Sequence, residues 1–278
     1  MAYKIQHLGL GGILDQTIAI TREHFGLLFL IVLILVIPCE LVIGFIDLAN
    51  SYELPPDATF EEQIEAEQNY EVNSSLALLS LILDYFVLDL ILLPLTNAAI
   101  IQTVARVYLG EPVTALEAIR HGLRRFLPLI GTTILLYMAV FGGLILLIIP
   151  GILFAMWFSL SQHVVVIEEL AGSAALGRSK FLVRKHLGTL LALGFIMLLI
   201  TLALYMGTLF IPQPHLEVIS FAVAEGIVTI LWTASGVVFY FSCRCAEDNF
   251  DLHYLAQSIH LDTPLDEQSL SSLGDVQT

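Results

Sequence analysis

Apolar residues come in six long runs, and the charges fall almost entirely in the gaps between them. A helix needs about 20 mostly apolar residues to cross roughly 30 Å of hydrocarbon. The runs predict spans over about 27–46, 76–101, 127–149, 151–167, 187–211 and 218–242. The second helix is expected to continue toward Tyr108. The third run carries no charge, and the fourth is the shortest. The pattern reads as an all-α polytopic membrane protein with six transmembrane helices, residues 1–260 forming a single transmembrane domain.

The gaps alternate in character. The stretch 47–73 is long and acidic, with Glu53, Asp57, Glu61, Glu62, Glu65, Glu67 and Glu71 and no Lys or Arg. The turns at Ile149-Pro150-Gly151 and at Pro212-Gln213-Pro214 also lack Lys and Arg. All eleven basic residues (Lys4, Arg22, Arg106, Arg120, Arg124, Arg125, Arg178, Lys180, Arg184, Lys185, Arg244) fall in the other connections and termini. Orientation follows Lys and Arg in short loops rather than net charge. The expectation is therefore a multi-pass protein of the cytoplasmic (inner) membrane with both termini in the cytoplasm. No cleavable leader is expected, because Asp15 and Glu23 precede the first apolar run and no small-residue cleavage site follows it.

Three short amphipathic helices are predicted to run into spans, at about 13–25, 112–126 and 174–186. In the second, Leu116, Ile119, Leu123 and Phe126 form one helical stripe, and the arginines fall largely away from it. Such helices suit the cytoplasmic-side interface, with leucines toward acyl chains and arginines toward phosphates. Together they suggest a weak threefold repeat of interfacial helix plus hairpin; basic helices at cytoplasmic span ends are also common without any repeat. Arg120, Arg124, Arg125, Arg178, Lys180, Arg184 and Lys185 are candidate lipid-headgroup contacts, although topology determination alone also accounts for them. The tail 261–278 is polar and acidic, and is expected to be disordered.

Composition changes this picture little. The chain of 278 residues is 57% hydrophobic and 13% charged, against roughly 25% charged in soluble domains. The net charge of −15 resides mostly in the acidic loop and tail. No basic face of the kind that binds nucleic acid is present. Cys243 and Cys245 are too few ligands for a structural zinc site. No catalytic motif and no cofactor or metal signature occurs, so a non-enzyme is expected.

Charged residues inside lipid are the default functional candidates, since a central carboxylate costs at least about 2.5–3.5 kcal/mol on insertion scales. Glu40, Asp84, Asp89 and Glu225 qualify, together with His163. At 1.5 Å per residue, Glu40, Asp84 and Glu225 lie about 10–12 Å below the outer edge, and Asp89 lies at about 20 Å with His163 at a similar depth. One reading is a proton or cation site with Asp89 and His163 as a relay. The other is a set of protonated carboxylates that hydrogen-bond neighbouring helices. An α-helix sets Asp84 and Asp89 about 140° apart, so both cannot face one point. Pro94 follows them and suits a broken helix. Ala139/Gly143, Ala203/Gly207 and Ala222/Gly226 are small-xxx-small pairs that suit close helix approach, within the chain first and between two copies as the alternative.

Several stretches carry a resemblance. These are Leu14-Asp15-Gln16 with Arg22-Glu23-His24-Phe25, and Gly110-Glu111-Pro112-Val113 with the arginine-rich helix after it. Further along come Pro150-Gly151, Trp157, 164–168, Ala175-Leu176-Gly177-Arg178-Ser179 and Leu182-Val183, then Arg244 with Asp251 and Leu252. Over roughly residues 10–255 the chain resembles the membrane domain of bacterial glycerophosphodiester phosphodiesterases and its stand-alone relatives. It departs from them at Met156-Trp157-Phe158, where a basic residue usually flanks the tryptophan, and at the less basic Ser242-Cys243-Arg244-Cys245. No stretch resembles the catalytic barrel. The resemblance implies an integral membrane protein of bacterial type with a lipid or envelope role. The sequence thus favours a component that binds membrane lipids, anionic ones among them, or a membrane protein partner. The alternative is a small cation- or proton-coupled transporter or channel using the buried carboxylates.

Overall fold

The computed structural model describes residues 6–50 and 78–250. Most of the acidic loop, the tail, Lys4, Asp251 and Leu252 lie outside these residues. The described part is all-helical, without strands. In chain order the helices are α1 (Leu10–Glu23), α2 (Phe25–Leu35) and α3 (Ile37–Asn50), then α4 (Leu93–Tyr108), entered through a π-helical stretch at Leu83–Leu92. They continue with α5 (Ala115–Arg124), α6 (Phe126–Leu146), α7 (Ile148–Trp157), α8 (Ser161–Ile167), α9 (Ser173–Val183), α10 (Leu187–Thr208) and α11 (Pro214–Asp248). Five helical runs are long and apolar enough to cross a membrane: Leu78–Tyr108, Phe126–Leu146, Ile148–Ile167, Leu187–Thr208 and Pro214–Asp248. A sixth is possible through α1 and α2, which meet at a 76° bend. The chain is a multi-pass membrane protein.

Three predicted elements differ in detail. The run expected as one span over about 27–46 is two helices meeting at Val36. Backbone bonds bridge the junction, with Val36 N–H donating to Val32 and Glu40 N–H to Val36. Pro38 has no N–H to continue the ladder, which accounts for the break. The outer turn expected at Ile149-Pro150-Gly151 sits earlier, at Leu147, the extended residue between α6 and α7. Pro150 and Gly151 are already helical. The fourth span accordingly gains a turn at its start. Asp84 and Asp89 lie within π rather than α winding, where each N–H bonds five residues back; Leu93 N–H donates to Leu88 in this way. A side chain five residues on then returns to nearly the same face, so the expected divergence of the two aspartates does not hold.

Helix α11 is the central post, packing against α1, α3, α4 and α10. Tyr240, Phe239 and Phe241 on it are fully buried with Ile13, Ile20, Leu28 and Ile31, and Phe241 stacks on Tyr108 with ring centroids 5.1 Å apart. Inside a bilayer such packing rests on van der Waals fit, since lipid is as apolar as leucine. Small residues permit it. Gly226 lies against Val32, Gly44 against Val218, and Gly143 against Gly151 at the tip of the α6–α7 hairpin. Two of the three predicted small pairs thus place their glycine at an internal helix contact, while Gly207 faces open space. Large apolar side chains such as Leu127, Ile145, Ile149 and Phe210 point outward, as lipid-facing surfaces require.

The predicted amphipathic helices behave differently from one another. Helix α1 buries Ile13, Thr17 and Ile20, and α9 buries Ala175, Leu176, Ser179 and Leu182, so both apolar stripes meet protein. Helix α5 instead packs through Ala115, Ala118 and Gly122 and leaves Leu116 and Leu123 76% and 55% exposed. A capping box starts it: Thr114 accepts from Glu117 N–H while the Glu117 carboxylate accepts from Thr114 N–H. The turn before it is a Schellman motif. Gly110 N–H donates to Val107 and Glu111 N–H to Arg106, with Gly110 at φ +78°.

Candidate functional site

Polar residues on facing helices join across the middle of the bundle. On α11, Glu225, Thr229 and Thr233 recur every four residues and so line one face. Glu225 accepts a hydrogen bond from the Tyr205 hydroxyl of α10, and Thr229 Oγ1 lies 3.5 Å from its other oxygen. One turn further, Thr233 donates to Asn97 Oδ1 at 2.9 Å. Asn97 Nδ2 reaches Gln162 at 3.4 Å, and Gln162 Nε2 reaches Thr133 at 3.5 Å. Trp232 on the neighbouring face donates to Thr201 at 3.0 Å. All five long helical runs are thus linked by side-chain hydrogen bonds within their apolar lengths.

These groups border a cavity of about 300 Å³ lined by Asn97, Gln162, His163, Glu225, Thr229 and Thr233, among others. His163 is 9% exposed, and neither ring nitrogen makes a hydrogen bond of ordinary geometry, although the Thr233 backbone lies alongside. Its ring is parallel to that of Tyr240, with centroids 6.3 Å apart. Gly236 makes room for it: a Cβ there would stand 2.5 Å from His163 Nε2.

Tyr205, the partner of Glu225, also borders a second space. Glu40, Tyr205, Asp47 and Glu217 line a second cleft of about 570 Å³ between α3, α10 and α11, walled by Ile43, Met206, Leu209 and Phe221. Glu40 lies within electrostatic reach of Asp84, Asp89 and Glu225, and Asp89 within reach of Asp84 and Glu225. The five sequence-predicted residues are therefore only partly gathered. Glu225 and His163 share the first cavity, Glu40 lines the second cleft, and Asp84 and Asp89 lie within electrostatic reach of Glu40 on the π-helical stretch. Asp89 does not line the His163 cavity, so the pairing expected from depth is replaced by Glu225 with His163. Depth fixes only one coordinate, and azimuth chose the other partner.

Beneath the cavity lies an ion-pair cluster. The Tyr240 hydroxyl donates to Glu168 at 2.8 Å. Arg178 bridges Glu168, at 2.8 Å, and Asp248, and Arg244 Nε lies 3.5 Å from Asp248. Burial works against the charged Arg178 guanidinium, but its hydrogen bonds to Asp248 and Glu168 outweigh this and hold its proton more tightly than usual. Arg178 is thus occupied within the protein rather than offered to headgroups. The same is true of Arg125, paired with Glu169, whose carboxyl that hydrogen bond and charge hold below its ordinary range. Lys185 bonds Glu247 at 2.8 Å. Lys180 sits 4.0 Å over the Trp157 ring, and Arg184 4.9 Å over Phe181. Of the seven predicted headgroup contacts, only Arg120 and Arg124 have neither an ion pair nor a ring partner among the described residues.

Sequence reasoning missed Tyr205, Asn97, Gln162 and Thr233. The four-residue recurrence of Glu225, Thr229 and Thr233 was a readable signal for one face. The partners that meet it come from distant helices, which no local pattern specifies. Among the described residues no group of three or more His, Cys, Asp or Glu is placed to hold a metal ion. No family model, curated protein or solved structure matches this chain, and the functional reading is carried by its own residues.

Proposed function

We propose that the protein conducts or couples a proton or small cation across the cytoplasmic membrane through its central polar path. The observation that supports this most is continuity. Acidic groups of the outer cleft lead through Glu40, Tyr205 and Glu225 to a cavity floored by Asn97, Gln162 and His163, and the Tyr240–Glu168–Arg178 cluster follows. An unpaired carboxylate in lipid is expensive, and where such groups face a common cavity they mark ion or proton pathways. The chemistry asked of each group is modest. Glu225 takes and releases the proton or coordinates the cation, Tyr205 orients it, and His163 can accept a proton from the cavity. The path brings the transporter alternative ahead of the lipid- or partner-binding role that the sequence alone favours.

Six spans with both termini in the cytoplasm remain part of this proposal. Support comes from the alternating course of the helices, which sets Arg22, Arg106, Arg124, Arg125, Arg184, Lys185 and Arg244 at one set of helix ends. The test is flux into proteoliposomes carrying a pH-sensitive dye under an imposed potassium-diffusion potential. Wild-type protein should raise proton or cation flux above empty vesicles, and Glu225→Gln should lower it at least tenfold while keeping helicity and elution volume. Flux at the level of empty vesicles, or an undiminished Glu225→Gln protein, rejects the path. The lipid- or partner-binding role stays as a second reading, favoured by the exposed Leu116 and Leu123 beside Arg120 and Arg124, which have no ion-pair partner among the described residues.

A further inference from the structure

We propose that the end of α4 and the face of α5 form a binding site for the phosphate group of an anionic lipid. The site is separate from the central polar path and does not depend on it. Two pairs of residues, each four apart on its helix, look at one another across a cavity of about 260 Å³: Gln102 and Arg106 on α4, Arg120 and Arg124 on α5. His121 completes the lining, its ring fixed by Nε2 3.4 Å from the Val166 carbonyl. The half-buried Gln102, Arg106 and His121 make the floor, and the exposed Arg120 and Arg124 make the rim.

The cations of this cavity are only partly offset from within, three arginines standing against one lining carboxylate. Glu117 also lines it, but its carboxylate is drawn to the Thr114 N–H at 3.2 Å. Glu111 lies 3.6 Å from Arg106 in a pair whose side chains are 39% and 58% exposed, a geometry that contributes little and gives way easily. Arg120 and Arg124 have no carboxylate partner among the described residues. Planar guanidinium forks beside an amide donor match the oxygens of a phosphate. The ligand is taken as a lipid because of what surrounds the rim. Leu116, Leu123 and Leu127, at 76%, 55% and 80% exposed, flank the arginines and offer a surface for acyl chains.

The test is native mass spectrometry of the delipidated full-length protein, titrated with dioleoylphosphatidic acid and, separately, dioleoylphosphatidylcholine. Wild-type protein should prefer the anionic lipid. Arg120→Gln with Arg124→Gln should weaken that binding about ten- to thirtyfold, following the loss of two surface cation contacts. Gln102→Leu should weaken it severalfold although it changes no charge. Arg184→Gln, which removes one cation elsewhere, should bind as wild type. Circular dichroism and elution volume establish that each variant is folded. Displacement by millimolar inorganic phosphate would identify the phosphate alone as the recognised group; resistance to displacement would assign the site to the intact lipid. Binding unchanged in the double variant, lost equally in Arg184→Gln, or unaffected by Gln102→Leu would overturn the pocket and leave only general surface charge.

Discussion

At the residue scale, His186 shows how a side chain outside the long helices ties stability to pH. Its ring lies 5.4 Å from that of His7, and its Nε2 is 3.5 Å from Glu247 Oε1. Burial, then the neighbouring His7, hold its pKa below the ordinary value, while Glu247 opposes them and Lys185 adds to them. A histidine depressed in the folded state binds fewer protons than its unfolded counterpart once pH falls below about 6.5. Stability from this group is therefore intact at neutral pH and is lost on acidification. The melting temperature of wild-type protein should fall between pH 7.5 and pH 5.5, and that gap should narrow in His186→Gln. An equal gap in the variant would assign the acid sensitivity to other groups. The sequence offered no sign of this contact, because His7, His186 and Glu247 are far apart along the chain. The intramembrane carboxylates were legible for the opposite reason. A charge in an apolar run is conspicuous by itself, whereas Tyr205 and Thr229, the neutral hydrogen-bond partners of Glu225, look like ordinary span residues.

At the scale of elements, hydrophobic runs located the long helices because lipid imposes one length and one composition on them. The junctions were harder to read. Pro38 was visible, but the break falls two residues earlier, at Val36, and the α6–α7 turn falls at Leu147, a residue with no turn preference of its own. What holds that hairpin is the close approach of Gly143 and Gly151, a tertiary fact. The α4–α5 turn depends on its sequence more directly. Gly110 sits at φ +78°, where a Cβ costs roughly 1–2 kcal/mol, although open space surrounds it. Gly110→Ala should lower the unfolding free energy by about 1 kcal/mol, measured by thermal melting in detergent. No loss would mean that the turn relaxes out of its left-handed conformation without consequence for α5.

Across the whole molecule, charge is arranged in two tiers. Among the described residues, carboxylates without Lys or Arg partners occupy one half of the bundle, and the arginines and their ion-pair partners occupy the other. Membrane insertion reads such an asymmetry directly. Ser173→Cys and Gln213→Cys, both at exposed positions, sit at opposite ends of the bundle. In intact cells a membrane-impermeant maleimide should label Gln213→Cys from outside, and Ser173→Cys only after permeabilisation. The reverse pattern would invert the proposed orientation.

The π-helical stretch Leu83–Leu92 has a consequence for how this path could be re-tuned. Alpha winding turns about 100° per residue, and π winding turns less. A single-residue deletion within the stretch, relaxing it toward α geometry, would therefore act less as a shortening than as a swivel. The segment before the deletion would rotate against α4 while α4 stayed anchored by Asn97 and its neighbours. Asp84 would be carried to a different bearing from Glu40 with every carboxylate still in place. The aim of these carboxylates is thus stored in the count of residues rather than in their identity.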